Sequence, residues 1–250
     1  MSGHCSRRGF LGVAGVTAAG AALAACNRDT SLNPLDWAPL PTLAPSATPR
    51  PLDESLTGNE ALARLLEGNQ RFVEDQLSHP DQAAERREVL AGGQAPFAMV
   101  LACADSRVPP EVLFDQGLGD LFVVRVAGNI LSETILASLE YAAEHLHTPL
   151  ALVLGHKRCG AVKAAWETVT SGGEAPGHIG SLVTALRPAL ADALPAGEDP
   201  VDWAVRQNVR LVTQTITARS PLLATRVKRS LLKVAGGYYD LDTGAVEIFG

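Results

Sequence analysis

The sequence predicts an α/β fold: a mainly parallel β-sheet flanked by helices, with an N-terminal helical arm and an antiparallel strand at the C-terminal edge. Three observations predict it. Short, almost wholly apolar runs at 97–102, 121–126 and 151–154 read as strands covered on both faces. Stretches with helical periodicity lie between them, which argues for parallel pairing. Near the end of the chain, Asp242-Thr243-Gly244 marks a turn, and residues 245–249 return as a last strand.

The folded domain is expected to cover residues 53–250. Thr57-Gly58-Asn59-Glu60 fits a capping box. Leu62, Leu65, Leu66, Phe72 and Val73 then fall mostly on one helical face. Pro80-Asp81 is expected to open a second helix, which Gly92-Gly93 ends. The strand at 97–102 follows, then a short helix at 109–114 and the strand at 121–126. Ser132 is placed to cap a helix running to about residue 147. After the strand at 151–154, another helix starts near Gly160. Helices are expected at 178–193 and 200–219, and residues 227–239 contain a fourth strand. No internal repeat is present.

A chain of 250 residues with 46% hydrophobic and 19% charged residues can bury one substantial core once its N-terminus is set aside. The net charge is −6, and the Lys and Arg residues are scattered, which argues against nucleic-acid binding. The four cysteines are Cys5, Cys26, Cys103 and Cys159. Two of them precede the domain, so a disulfide framework for it is not expected.

The N-terminus reads as an address. Ser6-Arg7-Arg8-Gly9-Phe10-Leu11 places two arginines before an Ala- and Gly-rich apolar segment, 10–25, that is short for a membrane span. That is the pattern of a twin-arginine signal, residues 1–25. It ends in Leu23-Ala24-Ala25-Cys26, which resembles a bacterial lipobox and would leave Cys26 as a lipidated first residue. Cleavage at the small residues near Ala24, giving a free product, is the alternative. Residues 26–52 carry Pro34, Pro39, Pro41, Pro45, Pro49 and Pro51 and read as an extended tether. The expected location is the outer face of the cell membrane or the periplasm, with the lipid as the one link to a membrane.

Two apolar runs stop at residues able to bind a soft metal. Cys103 and Asp105 close the first, with Arg107 two residues on; His156 and Cys159 close the second. Two thiolates and an imidazole suit zinc. Three such ligands leave a fourth position for water or a carboxylate, and Asp105 is near enough in sequence to compete for it. Both halves lie just past a strand, where open parallel sheets gather ligands and chemistry.

Cys103-Ala104-Asp105-Ser106-Arg107 with His156-Lys157-Arg158-Cys159 resembles the zinc signature of the β-class carbonic anhydrases. The resemblance extends through residues 119–129, the helix at 60–72 and Gly236-Gly237-Tyr238-Tyr239. It implies one zinc per subunit, held by Cys103, His156 and Cys159, with Asp105 and Arg107 as a catalytic pair. It also implies carbon dioxide and bicarbonate as substrate and product, and a homodimer, or dimer of dimers, with clefts at the subunit interface. Gln94, Phe122, Ala127 and Tyr141 match the substrate-pocket positions of plant-like members, with Ala127 where valine is common. Gln94 also fits a plain loop amide, and Phe122 and Tyr141 fit a core. Gly128 and Asn129 read as loop geometry, and His145, His147 and His178 as surface residues.

Residue chemistry supports the same assignment. Hydration of carbon dioxide needs hydroxide at neutral pH, which zinc provides by lowering the pKa of water. Two thiolates cancel the formal charge of the metal, so a nearby acceptor such as Asp105 helps. Arg107 is shaped to hold that carboxylate off the metal. In a closed state Asp105 itself would be a ligand. Some members stabilise that state with bicarbonate, using a tryptophan where this chain has Val100, although Arg125 matches the same pocket's arginine. Two other functions fit the motifs: hydrolysis of carbon disulfide or carbonyl sulfide on the same fold, and a non-catalytic zinc- or bicarbonate-binding module. A purely structural zinc would need no Asp105–Arg107 pair and usually closes with four ligands.

Overall fold

The structure, a computed structural model, describes residues 56–191 and 194–249. The expected signal segment, Cys26, the tether and the start of the domain at residue 53 lie outside them. Among the described residues, no helix is long and apolar enough to cross a membrane.

Five strands form one sheet: β1 (Ala98–Ala102), β2 (Leu121–Arg125), β3 (Leu150–His156), β4 (Lys233–Tyr239) and β5 (Val246–Phe249). Their spatial order is β2-β1-β3-β4-β5. The first four are parallel and β5 pairs antiparallel with β4, as the sequence predicts. The chain leaves β1 toward β2 and then crosses to β3 on the other side. The strand order therefore reverses between β1 and β3, and the carboxyl ends of those two strands border a crevice.

Alternation within β1 and β3 divides the core. Ala98, Val100 and Ala102 join Leu150, Leu152 and Leu154 on one face, beneath α1 (Gly58–Val73) and α3 (Pro110–Leu113). Met99, Leu101, Ala151 and Val153 face the other way, against α4 (Glu133–His145), α7 (Pro200–Arg219) and α8 (Pro221–Lys228). A third cluster, at the carboxyl ends of the strands, packs Cys103 and Cys159 with α5 (Gly160–Ser171), α6 (Ile179–Leu186) and α7. Helix α7 comes close to the sheet because Gly155 has no side chain: a Cβ there would lie 2.6 Å from Val209 and 2.8 Å from Val205.

The Thr57 capping box forms, with Thr57 Oγ1 accepting from Glu60 N and Glu60 Oε2 accepting from Thr57 N. Ser132 caps α4 by accepting from Ile135 N. Of the apolar face expected on α1, Leu65 is buried, Leu62, Leu66 and Phe72 are half-buried, and Val73 is exposed. Strand β3 runs longer than the apolar run, so His156 is its last residue. The helix expected at 178–193 is α6 continued by a 3-10 turn, Arg187–Leu190, where Pro188 interrupts regular bonding.

One expectation is corrected and one element is added. Pro80-Asp81 does not open a helix. Asp81 sits at φ 54° and its carbonyl accepts from Leu118 N, so the second helix, α2, begins at Ala84 and ends at Leu90. Residues 221–228 form helix α8, absent from the sequence reading. Pro221 starts it, and the Ser220 hydroxyl caps it by accepting from Leu223 N.

Asp115 ties α1, α3 and the segment after α1 together. Its buried carboxylate accepts from Arg71 Nε at 2.6 Å, Ser78 N at 3.0 Å, Ser78 Oγ at 2.7 Å and His79 N at 2.9 Å. Burial alone would raise this carboxyl, but Arg71 and the Ser78 and His79 donors outweigh it and hold it down to about 2. A depressed folded-state value contributes stability above the unfolded pKa and loses it as pH falls through the folded one. Asp115→Ala is expected to cost about 3 kcal/mol by leaving these donors unpaired, read as a lower urea midpoint. The difference between wild type and variant should shrink as pH falls from about 4 to about 2; a difference unchanged across that window would remove the carboxylate from this role.

Candidate metal centre

The carboxyl end of β1 delivers Cys103 and the end of β3 delivers His156. A two-residue turn then brings Cys159 to the N-cap of α5. All three side chains are buried. Their ligand atoms lie within 4.8 Å of one another, and the two Sγ atoms are 3.9 Å apart. Two sulfurs about 2.3 Å from one tetrahedral zinc lie about 3.8 Å apart, so the cluster is already spaced for the ion. His156 supplies a second test of fit. Its Nδ1 lies 3.0 Å from Lys157 O. A carbonyl only accepts, so Nδ1 carries the proton and Nε2 keeps its lone pair. That Nε2 is buried and has no hydrogen-bond partner. Such an orphan is costly unless something coordinates it.

The two sulfurs differ: Cys103 is poised as the thiolate and Cys159 as its thiol partner. Cys103 is drawn down to about 4 by the Cys159 thiol beside it, against the opposing effect of burial. Gly128 N donates to the same sulfur at 3.3 Å. Cys159 moves the other way, pushed up by the Cys103 sulfur and then by burial. One proton is therefore shared tightly between two sulfurs, and a cation arriving between them would replace it.

Asp105 and Arg107 stand at the mouth of this cluster. Arg107 donates to Asp105 through Nε at 2.9 Å, Nη2 at 2.8 Å and its backbone N at 3.0 Å. This grip holds the Asp105 carboxyl well below the ordinary carboxylate range. Asp105 Oδ2 is 3.9 Å from His156 Nε2, beyond hydrogen-bond reach. Both carboxylate oxygens are occupied by Arg107.

The other predicted residues divide into two sets. Ala127 belongs to a 3-10 turn, Ala127–Asn129, directly beside Cys103. Gln94, Phe122 and Tyr141 do not join it within one chain. Phe122 pairs with Met99 in the strand register, four residues before Cys103, a separation of about 13 Å along the sheet. Tyr141, half-exposed on α4, has its ring 6.3 Å from that of Phe122. Gln94 is an exposed loop residue preceding β1. His145, His147 and His178 are exposed.

Asn208 and the supporting roles of Gly128 and Arg125 escaped the sequence reading. Gly128, at φ 69°, serves both loop geometry and the thiolate. Its carbonyl accepts from Asn208 Nδ2 at 2.9 Å. Asn208 is buried in α7 among Ala204, Val205 and Val209; a polar residue on an apolar helical stripe was the available signal. Arg125 donates to the carbonyls of Cys103 and Asp105, fixing the segment that carries the acid–base pair.

The carbonic anhydrase family model matches residues 98–246. Carbonic anhydrase 2 of Mycobacterium tuberculosis is 41% identical over 180 residues, spanning 72% of this chain and 87% of its own. The carbonic anhydrase of Mycolicibacterium smegmatis is 41% identical over 184 residues, 74% of this chain and 89% of its own. Among solved structures, the β-carbonic anhydrase CcaA aligns with a TM-score of 0.60 at 30% identity, covering 75% of this chain and 87% of that one. A tetrameric β-carbonic anhydrase from Sordaria macrospora gives the same TM-score at 25% identity, covering 76% and 96%. The matched segment runs from the first strand into the last and contains both halves of the Cys-His-Cys cluster, and the chain belongs to the β-carbonic anhydrases.

Proposed function

We propose that the protein is a zinc enzyme that hydrates carbon dioxide reversibly to bicarbonate and a proton, acting outside the cell from a lipid anchor. The observation that carries the catalytic part is the three-ligand buried cluster with an Arg107-held carboxylate at its mouth. A closed structural site would have no use for that pair.

Cys103, His156 and Cys159 would hold the zinc. Bound there, zinc supplies Lewis acidity that lets water lose a proton near neutral pH. The chain's own residues do the rest. Asp105 stays ionised because Arg107 neutralises it, and its oxygens can accept a hydrogen bond that orients the attacking water. Arg107 also keeps the carboxylate turned away from the three ligands. Arg125 fixes the backbone beneath both. Ala127 leaves room beside the cluster for a small linear substrate. Gln94, Phe122 and Tyr141 would complete the pocket only from a second copy, so the working unit is proposed to be a dimer or a dimer of dimers; the Sordaria relative is tetrameric.

Export rests on Arg7-Arg8 and the apolar stretch before Cys26. Passage of a folded, metal-loaded protein would protect Cys103 and Cys159 from oxidation outside.

The deciding experiment is stopped-flow carbon dioxide hydration with zinc measured on the same full-length sample. Activity on carbonyl sulfide but not on carbon dioxide would replace the substrate. Cys159→Ser is expected to lose most zinc and all activity, because a hydroxyl replaces thiolate poorly; full zinc content in that variant would strike Cys159 from the ligand set. Asp105→Asn should keep zinc and lower kcat/KM about 100-fold or more. In a zinc-loaded crystal grown near neutral pH, Asp105 is expected to remain on Arg107; an Asp105 oxygen at about 2.0–2.2 Å from the metal would show a closed resting state instead. Cys26→Ser should move the protein from the membrane fraction to the soluble fraction, and a variant that still sediments would exclude the lipid anchor.

A further inference from the structure

Lys157 and Arg158 alone connect His156, at the end of β3, to Cys159, at the start of α5. So short a turn demands an unusual backbone. Arg158 takes φ 54°, in the left-handed region that glycine enters freely and a long side chain does not. An arginine also lacks the short polar side chain with which Asn or Asp relieves that conformation locally. Relief comes from elsewhere in the fold.

Three carboxylates converge on the turn. Asp202, in the first turn of α7, accepts from Arg158 N at 3.2 Å. Asp242, between β4 and β5, takes Arg158 in a two-pronged pair, Nη1 to Oδ2 at 2.9 Å and Nη2 to Oδ1 at 2.6 Å. Lys157 Nζ reaches Asp240 at 3.0 Å and Asp242 at 3.1 Å. The backbone joins in, with Lys157 N donating to Tyr239 O at 2.9 Å. Asp240 in turn shapes the β4–β5 turn, accepting from Asp242 N at 2.7 Å. The carbonyl of Lys157 is thus fixed, and it accepts the hydrogen bond from His156 Nδ1–H.

We infer that Asp202 and Asp242, with Asp240 supporting them, are positioning residues that clamp the Lys157–Arg158 turn in its left-handed form and so set the aim of His156 Nε2 and Cys159 Sγ at a metal. The inference rests on the metal-centre reading above. The side chains of Arg158 and Asp242 are about half exposed, and an exposed ion pair alone is weak. The clamp therefore works through its number of contacts. Removing one is expected to do little, and removing two to release the turn.

The test compares full-length zinc-loaded protein with the Asp202→Ala/Asp242→Ala double variant, following zinc release to a chromogenic chelator. Losing residues that orient metal ligands typically weakens metal binding about 10- to 100-fold, so release should quicken at least about tenfold. The cobalt(II)-substituted variant should show altered ligand-field bands, which a merely global loss of stability would not produce. Asp202→Ala/Asp242→Glu, which restores a carboxylate at the turn, should release zinc more slowly than the double alanine variant. Glu247→Gln, which removes the Arg206 ion pair from the same hairpin without touching the turn, should release at the wild-type rate. Release within about twofold of wild type, with unchanged cobalt bands, overturns the clamp, as does equal acceleration by Glu247→Gln. A wild-type chain that takes up no zinc overturns this inference and the metal centre together, so the two failures are distinguishable.

Discussion

Two sulfurs held 3.9 Å apart, one just past β1 and one on the turn that leaves β3, set the terms for the rest of the fold. For Cys103 and His156 to share a rim, β1 and β3 must end level, and the pairing of Ala102 with Leu154 makes them do so. A slip of one residue would turn every side chain in the strand to the opposite face. Such a slip is blocked by the core itself. Alternate residues of β1 and β3 are buried against different helical layers, so no shifted register satisfies both. The apolar runs thus act as the metal centre's alignment device.

Holding that much latent negative charge in a buried place requires donors. Gly128 N–H serves Cys103, while the backbone N–H groups of Ala161 and Val162 at the start of α5 only partly offset the Cys103 sulfur and the burial that hold Cys159 protonated. The carboxylate at the rim has its own cation in Arg107. Charges are therefore matched locally, group by group. That division lets Asp105 remain close to the cluster without joining it: its oxygens already have a partner with better geometry than a 3.9 Å approach to His156 offers.

Much of this was legible in the sequence because burial on both faces leaves an apolar run that is hard to mistake. Four of the five strands fell inside expected segments, β3 extended past its apolar run to His156, and helix α7 matched residue for residue. The metal triad was legible because each ligand sits where such a run stops. What escaped was tertiary. Helix α8 is short, and its cap depends on Ser220, whose hydroxyl also donates to Glu140 across the fold. Pro80-Asp81 looked like a helix start because proline often occupies one, yet packing of Gly117 against Pro80 and the Asp81–Leu118 bond hold that segment in turns. Asn208, Asp202 and Asp242 act on residues 44 to 84 positions away in sequence. No local pattern encodes such a pairing.

The division of the site along the sheet has a physical consequence. Cys103, His156, Cys159, Asp105 and Arg107 gather at the carboxyl rim, where strand ends expose backbone and favour polar chemistry. Phe122 and Tyr141 lie toward the other end of the edge strand β2, with Tyr141 half exposed. A small apolar gas needs the opposite surroundings from a hydroxide nucleophile: a dry shelf beside a polar, charge-matched centre. One chain supplies both surfaces but separates them by about 13 Å. A side chain cannot cross that distance, and moving the strands would break the register that aligns the metal ligands. If both surfaces serve one reaction, they have to meet by bringing two copies together, each lending its edge to the other's rim. On that view the pair that half-buried Phe122 on β2 makes with half-exposed Tyr141 on α4, set apart from the rim within one chain, and the rim itself are two sides of one requirement.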